Sequence, residues 1–588
     1  MAQVVPALAT FAVDDGFSYR VPDSLTGLSV GSIVRIPLGG RRVRGFVTHV
    51  REEQTDRTLK DITGIVGELP VFTPRLLATL RWAAIHYLAP VATMLGRTGP
   101  PNSPRRLPAS PMEPGIAVAD TSTTLGAAVV DGSRVRAQYI IGGRPWTDQV
   151  ASLATSVLER MRNMAVVMPT IAEAIALADS LEASAGLIPH LVTSQQSAAS
   201  RTRAWSAAET APGQLLVGTR ELAPWKLGAL DLVLVVEEGR PAMKAPQTPT
   251  LGVQTLLRRR SNAEGFQLAF AGVVPTTEAL AAGVEVTSPG ARPWGLIEVV
   301  DRSEEPPGGG LLLESTIHAM RGVLSRNGRV FVFVTRRGDA AAYRCASCGE
   351  LRRCAACDAA ASREARCQRC DTALGPCAEC GGARFQALGA AVGTVTSELR
   401  RKLGDRVVRP AGGGSVEIGT EKDIVRVFDM DLAVIVDADG PLLAPHYRAE
   451  EDALRTFARV ASTVTRGRGR RCLIQTLQPS HLVFSALRTG DPLPALHAML
   501  SERETAGFPP VAQLVAIELV DAPGRADADI TGAAEGLEVL GPARVGGRDR
   551  WLVSGADLRP FKVRLRSIVQ SWRDAGSRVR IDADPIRL

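Results

Sequence analysis

Aromatic residues, histidines and long apolar runs are scarce in this sequence. Phe, Trp and Tyr make up 4% of the 588 residues, so the hydrophobic cores must rely on Val, Leu, Ala and Ile. The seven histidines are scattered, without an H-E-x-x-H pair or a Ser/His/Asp set, which argues against metallopeptidase and serine-hydrolase chemistry. No apolar run reaches the roughly 18–20 residues that span a bilayer, and the apolar start at 4–13 lacks the basic segment of a signal peptide. We therefore expect a cytoplasmic protein without a membrane partner.

The composition is that of a globular protein with an excess of basic residues. Hydrophobic residues make up 45% of the chain and charged residues 22%, which supplies ample material for buried cores. A length of 588 residues suits about four domains of roughly 100–200 residues each. The net charge of +8 and the isoelectric point near 9.2 favour a polyanionic partner, without indicating any sequence specificity.

Changes of pattern along the chain predict a multidomain α/β protein. Residues 1–98 are predicted to form a small β-rich domain, with strands at 33–36 and 45–50, a hairpin turn at Gly39-Gly40 and a helix at 73–87. Residues 99–121 are predicted to be a linker, because six prolines fall between Gly99 and Gly115.

Two α/β units with parallel sheets are predicted next, because short apolar strands alternate with helix-length segments. The first covers 122–288, with strands at 164–168, 214–217, 230–236 and 268–272. The second covers 289–342 and 387–480, with strands at 330–334, 424–428, 432–436 and 472–476. A cysteine-rich segment at 343–386 is inserted into the second unit. A C-terminal α+β domain at 481–588 is predicted to alternate strand, helix, strand, helix and strand from residue 514.

Eight of the nine cysteines form C-x-x-C pairs, namely Cys345/Cys348, Cys354/Cys357, Cys367/Cys370 and Cys377/Cys380. Each pair can direct two thiolates at one ion, and a structural zinc site takes four ligands, so the four pairs predict two Zn²⁺ ions. An iron–sulfur cluster or a redox C-x-x-C pair is the alternative, but four-cysteine sites of this spacing are typical of structural zinc. The spacing leaves three pairings open. Cys472 lies in an apolar strand and is predicted to be a packing residue.

Short motifs over nearly the whole length resemble the PriA family of bacterial replication-restart proteins. In the N-terminal domain, F-S-Y-R-V-P at 17–22 resembles F-D-Y-x-x-P, with Ser18 replacing the family Asp. I-P-L-G-G at 36–40 resembles a P-F-G turn, and Leu59-Lys60 resembles an L-K step. Further family signatures follow in the same order: G-T-R at 218–220, D-A-D-G at 437–440 with Tyr447, Arg448 and Glu451 after it, E-T-A-G-F-P-P at 504–510, and D-A-D-P at 582–585.

The resemblance implies an N-terminal domain that binds the 3′ end of nascent DNA, two RecA-like helicase lobes, an inserted zinc ribbon and a C-terminal domain. It implies DNA contacts by Phe17, Tyr19, Gly39 and Lys60, with the two aromatic rings suited to stacking on a terminal base. It also implies that the outer cysteine pairs, 345/348 and 377/380, share one zinc and that the inner pairs share the other. Expected partners are DNA, as forks, 3′ ends and single strands, and primosome and replisome proteins such as a helicase loader, the replicative helicase or single-stranded-DNA-binding protein. The expected location is the nucleoid.

The ATPase motifs of a helicase are degenerate in this sequence. The phosphate loop G-x-x-x-x-G-K-T corresponds to I-G-G-R-P-W-T at 141–147, which lacks the lysine and the second glycine, although Arg144 keeps a charge. The D-E-E-H box reads V-E-E-G at 236–239, G-S-A-T-P reads G-V-V-P-T at 272–276, and Q-V-A-G-R-A-G-R reads R-V-A-S-T-V-T-R at 459–466. These changes remove charges that stabilise phosphoryl transfer. We therefore expect no ATP-driven unwinding, assign no residue to catalysis or nucleotide binding, and leave ATP open as a ligand.

Three functions remain open at this point. The first is a fork-recognising scaffold that recruits replisome proteins, with basic clusters at 41–44, 258–260 and 466–471 as candidate phosphate contacts. The second is an active ATP-dependent 3′–5′ helicase with a divergent nucleotide site. The third is a zinc-ribbon interaction protein without a DNA role. The phosphate loop argues against the second, and binding to forked DNA separates the first from the third.

Overall fold

The described strands form five sheets, of which four follow one another along the chain and one, with two strands, is inserted within the six-stranded sheet. The computed structural model describes all residues except 53–57, 119, 144, 288–291, 305–309, 336–341, 357–364, 368–371, 389–390, 406–407, 411–413, 445, 546 and 587–588. Within the described part, no helix has both the length and the apolar character needed to cross a bilayer.

The N-terminal part is an antiparallel sheet of five strands followed by two helices. Its elements are β1 (Ala2–Pro6), β2 (Phe17–Tyr19), β3 (Ile33–Leu38), β4 (Arg41–Val50), β5 (Gly64–Val66), α1 (Pro74–His86) and α2 (Val91–Leu95), with the strand order β2-β1-β4-β3-β5. Gly39 and Gly40 form the predicted turn between β3 and β4, with φ angles of 57° and 76° that favour glycine. The Thr73 hydroxyl accepts a hydrogen bond from the Leu76 N–H and caps α1, which confirms the predicted helix.

A parallel sheet of seven strands comes next, and its elements from α3 to β12 are called the first α/β unit. They are α3 (Thr124–Asp131), β6 (Gln138–Ile141), α4 (Thr147–Glu159), β7 (Asn163–Val167), α5 (Ile171–Ala185), β8 (His190–Val192), α6 (Ala198–Thr210), β9 (Leu215–Gly218), β10 (Leu230–Val236), α7 (Val253–Glu264), β11 (Gln267–Gly272), α8 (Thr277–Ala281) and β12 (Glu285–Thr287). The strand order is β12-β6-β11-β10-β7-β9-β8. Leu234 and Val235 of β10 lie in hydrophobic clusters on opposite faces of the sheet, so both faces are covered.

The elements from β13 to α14 form the second α/β unit, which contains the cysteine-rich segment. They are β13 (Leu296–Asp301), α9 (Glu314–Leu324), β14 (Val330–Phe333), β15 (Ala342–Cys345), β16 (Phe385–Leu388), α10 (Val392–Leu403), β17 (Val408–Pro410), β18 (Val416–Gly419), β19 (Leu432–Ile435), α11 (Asp439–Leu442), α12 (Ala449–Ala461), β20 (Arg471–Thr476), α13 (Leu482–Thr489) and α14 (Leu493–Ala506). Six parallel strands have the order β13-β20-β19-β14-β18-β17, while β15 and β16 form a separate antiparallel pair. The insertion therefore leaves the sheet after β14 and returns before α10.

The predicted strand at 424–428 is wrong. Residues Ile424–Arg426 form a 3-10 turn, and the strand beside β14 on that side is β18, which the apolar pattern did not predict. Ile424 and Val427 are three residues apart and are both buried in the same core, so their spacing is that of a helical turn rather than a strand. The other strands named for the two units lie within one or two residues of their predicted positions.

The C-terminal part is an antiparallel sheet with two helices. Its elements are β21 (Gln513–Val520), α15 (Ala526–Ala533), β22 (Glu538–Val545), β23 (Arg548–Gly555), α16 (Arg559–Asp574) and β24 (Arg578–Ala583), in the strand order β22-β23-β21-β24. The predicted alternation of strands and helices is confirmed, and β22 is an additional strand at the sheet edge.

The C-terminal D-A-D-P segment connects this part to the rest of the chain. Asp584 Oδ2 lies 2.7 Å from His86 Nε2 at the end of α1. Lys244 of the first α/β unit donates to the Ala583 carbonyl at 2.7 Å, and Tyr447 of the second donates to the Pro585 carbonyl at 2.7 Å. The protein is thus a multidomain α/β protein in which an N-terminal antiparallel sheet, two parallel sheets, a cysteine-rich insertion and a C-terminal α+β part follow in the expected order. The exact limits of the six predicted domains stay a prediction.

Candidate functional site

Four of the predicted metal ligands lie together at the base of the insertion. The thiol sulfurs of Cys345, Cys348, Cys377 and Cys380 all lie within 4.8 Å of one another. Cys345 Sγ is 3.4 Å from Cys380 Sγ, and Cys348 Sγ is 3.6 Å from Cys377 Sγ. Four sulfurs at about 2.3 Å from a tetrahedral zinc ion are about 3.8 Å apart, so these distances fit such an ion. The outer two pairs therefore have the geometry to hold one ion.

The backbone around these cysteines repeats one turn. The N–H of Cys345 donates to the Glu350 carbonyl at 2.7 Å, and the N–H of Cys377 donates to the Gly382 carbonyl at 2.9 Å. Gly349 and Gly381 have φ angles of 80° and 69°, so each turn needs its glycine. The N–H of Cys367, the first cysteine of the third pair, donates to the Thr372 carbonyl at 2.8 Å, which is the same spacing of five residues.

The polar environment of Cys345 favours its thiolate form. The N–H groups of Cys348 and Ser347 point at its sulfur and lower the pKa of the Cys345 thiol to about 6. A Cβ built at Gly382 would lie 2.9 Å from the Cys345 sulfur, so only a glycine leaves room for the thiolates there.

The inner pairs are described in part. Cys354 and Cys367 are both buried, while Cys357 and Cys370 lie outside the described residues. The spatial grouping of the inner four cysteines therefore stays a prediction.

The predicted DNA-contact residues lie on neighbouring parts of the N-terminal sheet. The Tyr19 hydroxyl donates to the Pro37 carbonyl at 3.2 Å, which places β2 beside the β3–β4 turn that contains Gly39. The Arg20 N–H donates to the Lys60 carbonyl at 2.9 Å, and the Lys60 side chain is exposed.

The two aromatic residues of this face differ in exposure. Phe17 is 42% exposed, whereas Tyr19 is 3% exposed. Because the Tyr19 ring packs in the core, the ring that remains available for stacking on a base is that of Phe17. Arg20 lies next to Tyr19, but the motifs did not predict it as a DNA contact. It forms a bidentate ion pair with Asp61, with Nη2 2.7 Å from Oδ2.

The four degenerate ATPase segments meet between the two α/β units. The Gly142 N–H donates to the Gly272 carbonyl at 3.0 Å, and the Glu237 N–H donates to the Ala271 carbonyl at 2.7 Å. Arg459 Nε lies 3.6 Å from Glu237 Oε2 across the interface. The structure therefore brings together segments that are far apart in the sequence.

Trp146 occupies the position at which the phosphate-loop motif has its lysine. Trp146 is buried beside Gly142, and α4 begins at the next residue, Thr147. The Thr147 hydroxyl lies 2.8 Å from the Ser180 hydroxyl. Together with Trp294, these side chains line a cavity of about 800 Å³ between the two units. Arg144, the charge that the loop retains, lies outside the described residues.

The acidic pair of the V-E-E-G segment is buried and faces arginines of α12. Glu238 accepts a hydrogen bond of 3.0 Å from the Thr276 N–H, and burial raises the pKa of its carboxyl to about 7, although Arg455 opposes the shift. Arg459 also bonds to Glu421, with Nη1 2.9 Å from Oε1. The two arginines thus carry positive charge to the place where a nucleotide-binding protein would hold a metal and phosphates.

A second buried charge cluster joins the two units and surrounds Glu451, which the sequence comparison named only as a motif position. Glu451 is fully buried and accepts hydrogen bonds from Arg448 at 3.2 Å, from Arg503 at 2.7 Å and from Thr277 of α8 at 2.8 Å, and from Arg455. Burial alone would raise its pKa, but the three arginines lower the pKa of Glu451 to about 2. The available sequence signal was the spacing of Arg448, three residues before Glu451, and Arg455, four residues after it.

One arginine of the predicted basic clusters is unsuited to phosphate binding. Arg260, within the cluster at 258–260, is 1% exposed, and its guanidinium donates to Glu264 and to the Ala223 carbonyl. Its charge is therefore used inside the first α/β unit, so the expectation is wrong for Arg260, whereas Arg259 of the same cluster is exposed and its role stays a prediction.

Comparisons with known proteins agree with this arrangement. Residues 3–100 match the model of the PriA 3′ DNA-binding domain. The chain is 27% identical to the probable replication restart protein PriA of Deinococcus radiodurans over 543 residues, which covers 82% of this chain and 57% of that protein. It is 24% identical to the replication restart protein PriA of Treponema pallidum over 655 residues, which covers 98% of both chains.

Solved structures give more distant similarities. The structure of RecG bound to a three-way DNA junction is 11% identical with a TM-score of 0.35, covering 65% of this chain and 49% of that one. The DUF1998 helicase MrfA bound to DNA is 9% identical with a TM-score of 0.36, covering 63% and 50%. The family match of the N-terminal domain, the full-length similarity to the Treponema protein and the ordered motifs lead to one conclusion. The chain is similar to the replication restart proteins PriA over nearly its whole length, and its residues 3–100 match the 3′ DNA-binding domain of that family.

Proposed function

We propose that this protein recognises branched or stalled replication forks by the 3′ end of nascent DNA and recruits replisome proteins without unwinding DNA. The observation that carries the proposal is the match of residues 3–100 to a 3′ DNA-binding domain. Exposed basic residues and the net charge of +8 are consistent with a polyanionic partner.

In this proposal the terminal nucleotide binds at the face formed by β2, the β3–β4 turn and Lys60. Phe17 supplies the exposed ring for stacking, and Lys60 supplies a positive charge for the terminal phosphodiester. Gly39 allows the backbone to approach the nucleotide, since no atom lies within 4 Å of a Cβ built there. Tyr19 positions the turn through its bond to Pro37 instead of stacking.

The proposal includes two structural Zn²⁺ ions. Cys345, Cys348, Cys377 and Cys380 would hold one, and Cys354, Cys357, Cys367 and Cys370 would hold the other. The ions would supply the folding free energy of the insertion, because a segment with so few apolar residues has no core of its own. Bound in this way, the insertion would present a rigid surface to a helicase loader, the replicative helicase or single-stranded-DNA-binding protein.

The absence of unwinding is proposed from the contacts between the two α/β units. Helicases of this kind couple ATP hydrolysis to opening and closing of such units. Here Trp146 stands at the phosphate loop, and Arg455 and Arg459 bind the V-E-E-G segment. A DNA-stimulated phosphate-release rate above background would contradict this part and would favour the alternative of an active 3′–5′ helicase.

A comparison of two forks that differ only at the 3′ end tests the proposed recognition of DNA. Fluorescence anisotropy would compare a fork with a free 3′ hydroxyl at the branch with the same fork carrying a 3′ phosphate. We expect at least about tenfold tighter binding to the free 3′ end, because a phosphate would not fit a site shaped for a terminal hydroxyl. Equal affinity for the two forks would contradict the proposed 3′-end site.

Two substitutions locate that site. Phe17→Ala should remove most of the preference for the free 3′ end, since base stacking on an aromatic ring contributes about 1–3 kcal/mol. Phe428→Ala is the matched control, because Phe428 is a similarly exposed phenylalanine at 39% in the second α/β unit. A loss of preference in both variants, or in neither, would argue against a role of Phe17.

A further inference from the structure

Two adjoining cavities lie between the N-terminal part, the proline-rich segment and helix α6. One, of about 570 Å³, is lined by Arg97, Arg201 and Arg220. The other, of about 540 Å³, is lined by Arg44, Arg105 and Arg203. Pro101 lines both cavities, so they are neighbours on either side of this residue. These six arginines are called the arginine track.

The charge of the arginine track is poorly balanced. Among the described residues that line the two cavities, Glu221 is the one carboxylate, and it lies 3.3 Å from Arg201. In the part of the chain that the structure describes, Arg44, Arg97, Arg105 and Arg203 have no ion pair within 4.0 Å. Four guanidinium groups therefore line the cavities without a direct ion pair, although the charge of Glu221 acts on Arg97, and an incoming anion would stabilise this arrangement.

Two further observations describe the surroundings of the arginines in the first cavity. The pKa of Arg97 lies below its ordinary value, because its guanidinium is partly desolvated and faces Arg220. The Nε atom of Arg201 is buried and, within the described chain, has no hydrogen-bond acceptor. Phosphate oxygens placed in the first cavity would offset the repulsion between Arg97 and Arg220.

The layout of the charges favours a polymer over a single small anion. Arg201 and Arg203 are two positions apart on α6, so they point to opposite sides of the helix and into different cavities. Arg44 adds a charge from strand β4 of the N-terminal sheet, and Arg220 adds one from the first α/β unit. The charges are thus spread along a line that joins the two parts of the protein.

We infer that the arginine track binds the sugar–phosphate backbone of a nucleic-acid single strand that runs from the N-terminal domain to the first α/β unit. The inference extends the proposed function, since it names a second contact for the DNA whose 3′ end lies in the N-terminal domain. The binding is independent of base sequence. Trp225, the one aromatic residue among the described lining residues, is buried at 4% exposure and offers no ring for stacking.

The test measures how salt weakens binding to a single strand blocked by a 3′ phosphate, so that the 3′-end site makes no contribution. The double variant Arg105→Ala/Arg203→Ala should bind this strand about tenfold more weakly. Its slope of log K against log salt concentration should be shallower by about 1.4, which is about 0.7 for each lost phosphate contact on a single strand. A second double variant, Arg44→Ala/Arg97→Ala, takes one arginine from each cavity and should give the same decrease.

The matched control is Arg326→Ala/Arg559→Ala, which removes two exposed arginines away from the cavities. It should leave both the affinity and the slope unchanged. All four substituted arginines of the track are exposed, so circular dichroism spectra should match those of the unaltered protein.

The outcomes separate this inference from the proposed function. An unchanged slope in the track variants, or an equal change in the control, would overturn the arginine track as a DNA site. Tighter binding to polyglutamate than to the single strand, lost in the same variants, would overturn it in favour of an acidic protein. The unaltered protein could show no preference for a free 3′ end while the track variants show a shallower dependence of log K on log salt concentration. That result would contradict the 3′-end site and support the arginine track.

Discussion

The guanidinium group of Arg455 donates a hydrogen bond of 3.1 Å from Nη1 to the backbone carbonyl of Gly239. Arg455 belongs to α12 of the second α/β unit, and Gly239 ends the V-E-E-G segment of the first. A Cβ built at Gly239 would lie 2.5 Å from the Arg455 Cζ atom, so the absence of a side chain allows the two units to approach. The contact links the two units in the region in which a nucleotide-dependent protein would change shape.

Gly239→Ala should weaken the contact between the two α/β units. The added methyl group would meet the Arg455 guanidinium and the Thr276 methyl group at 2.6 Å, and such overpacking typically costs about 1–3 kcal/mol. The urea midpoint for unfolding of the two units should fall, and the radius of gyration from small-angle X-ray scattering should rise. Gly322→Ala in α9 is the control, since no atom lies within 4 Å of a Cβ built there, and it should be neutral or stabilising.

Glu451→Gln should be the more damaging change. Glu451 is buried with three arginines around it, and neutralising it leaves their charges buried without balance, at a cost of about 3–5 kcal/mol. Chemical denaturation would measure the loss. Glu450→Gln is the control, since Glu450 is the neighbouring residue in the first turn of α12 and is half-buried. This substitution should reduce the free energy of unfolding far less. Equal losses in the two variants would argue against a special role of the Glu451 cluster.

Glu238 should make the interface between the two units sensitive to pH near neutrality. Its folded-state pKa of about 7 lies above the ordinary value of 4.5, so the folded state favours the protonated form. Its contribution to stability is full below pH 4.5 and is lost as the pH rises through about 7. The loss is at most about 3 kcal/mol, at 1.36 kcal/mol for each pKa unit. Arg455, Glu237 and Tyr139 are the titratable groups that face it.

The measurement is the thermal unfolding midpoint between pH 5 and pH 8. The unaltered protein should lose stability over this range, whereas Glu238→Gln should flatten the change because glutamine does not titrate. Glu451, whose pKa is about 2, works in the opposite direction, since its contribution is lost only as the pH falls from 4.5 towards 2. An identical pH dependence in Glu238→Gln and the unaltered protein would show that another group is responsible.

Removal of zinc should unfold the insertion and leave the α/β units intact. We expect two zinc ions per chain by elemental analysis, and Cys345→Ser should reduce the content to about one, because a three-cysteine site binds the ion far more weakly. A strong chelator should make 345–388 sensitive to protease while the circular dichroism of the rest is preserved. Cys472→Ala is the control, since this buried cysteine of β20 lies outside the insertion, and its zinc content should stay at two.

Several parts of the fold were predictable because their signals are local. The strands β7, β9, β10 and β11 are short apolar runs between helix-length segments, and the helix α1 begins with a threonine cap followed by proline. The turn at Gly39-Gly40 follows from two adjacent glycines with left-handed backbone angles. The prediction of a strand at 424–428 failed because it rested on four apolar residues among five. The two that are buried, Ile424 and Val427, have the spacing of a helical turn.

The sequence by itself determined that the chain has parallel α/β units, four C-x-x-C cysteine pairs and a segment that resembles a phosphate loop without its lysine, since each is written in residues close together along the chain. Only the tertiary structure decided that Tyr19 is buried while Phe17 is exposed, that Arg455 and Arg459 reach across to the V-E-E-G segment, and that six arginines from four separate segments line one track. The physical reason is that burial and charge neighbours depend on which distant segments pack together. A single sequence does not contain that information in any local pattern.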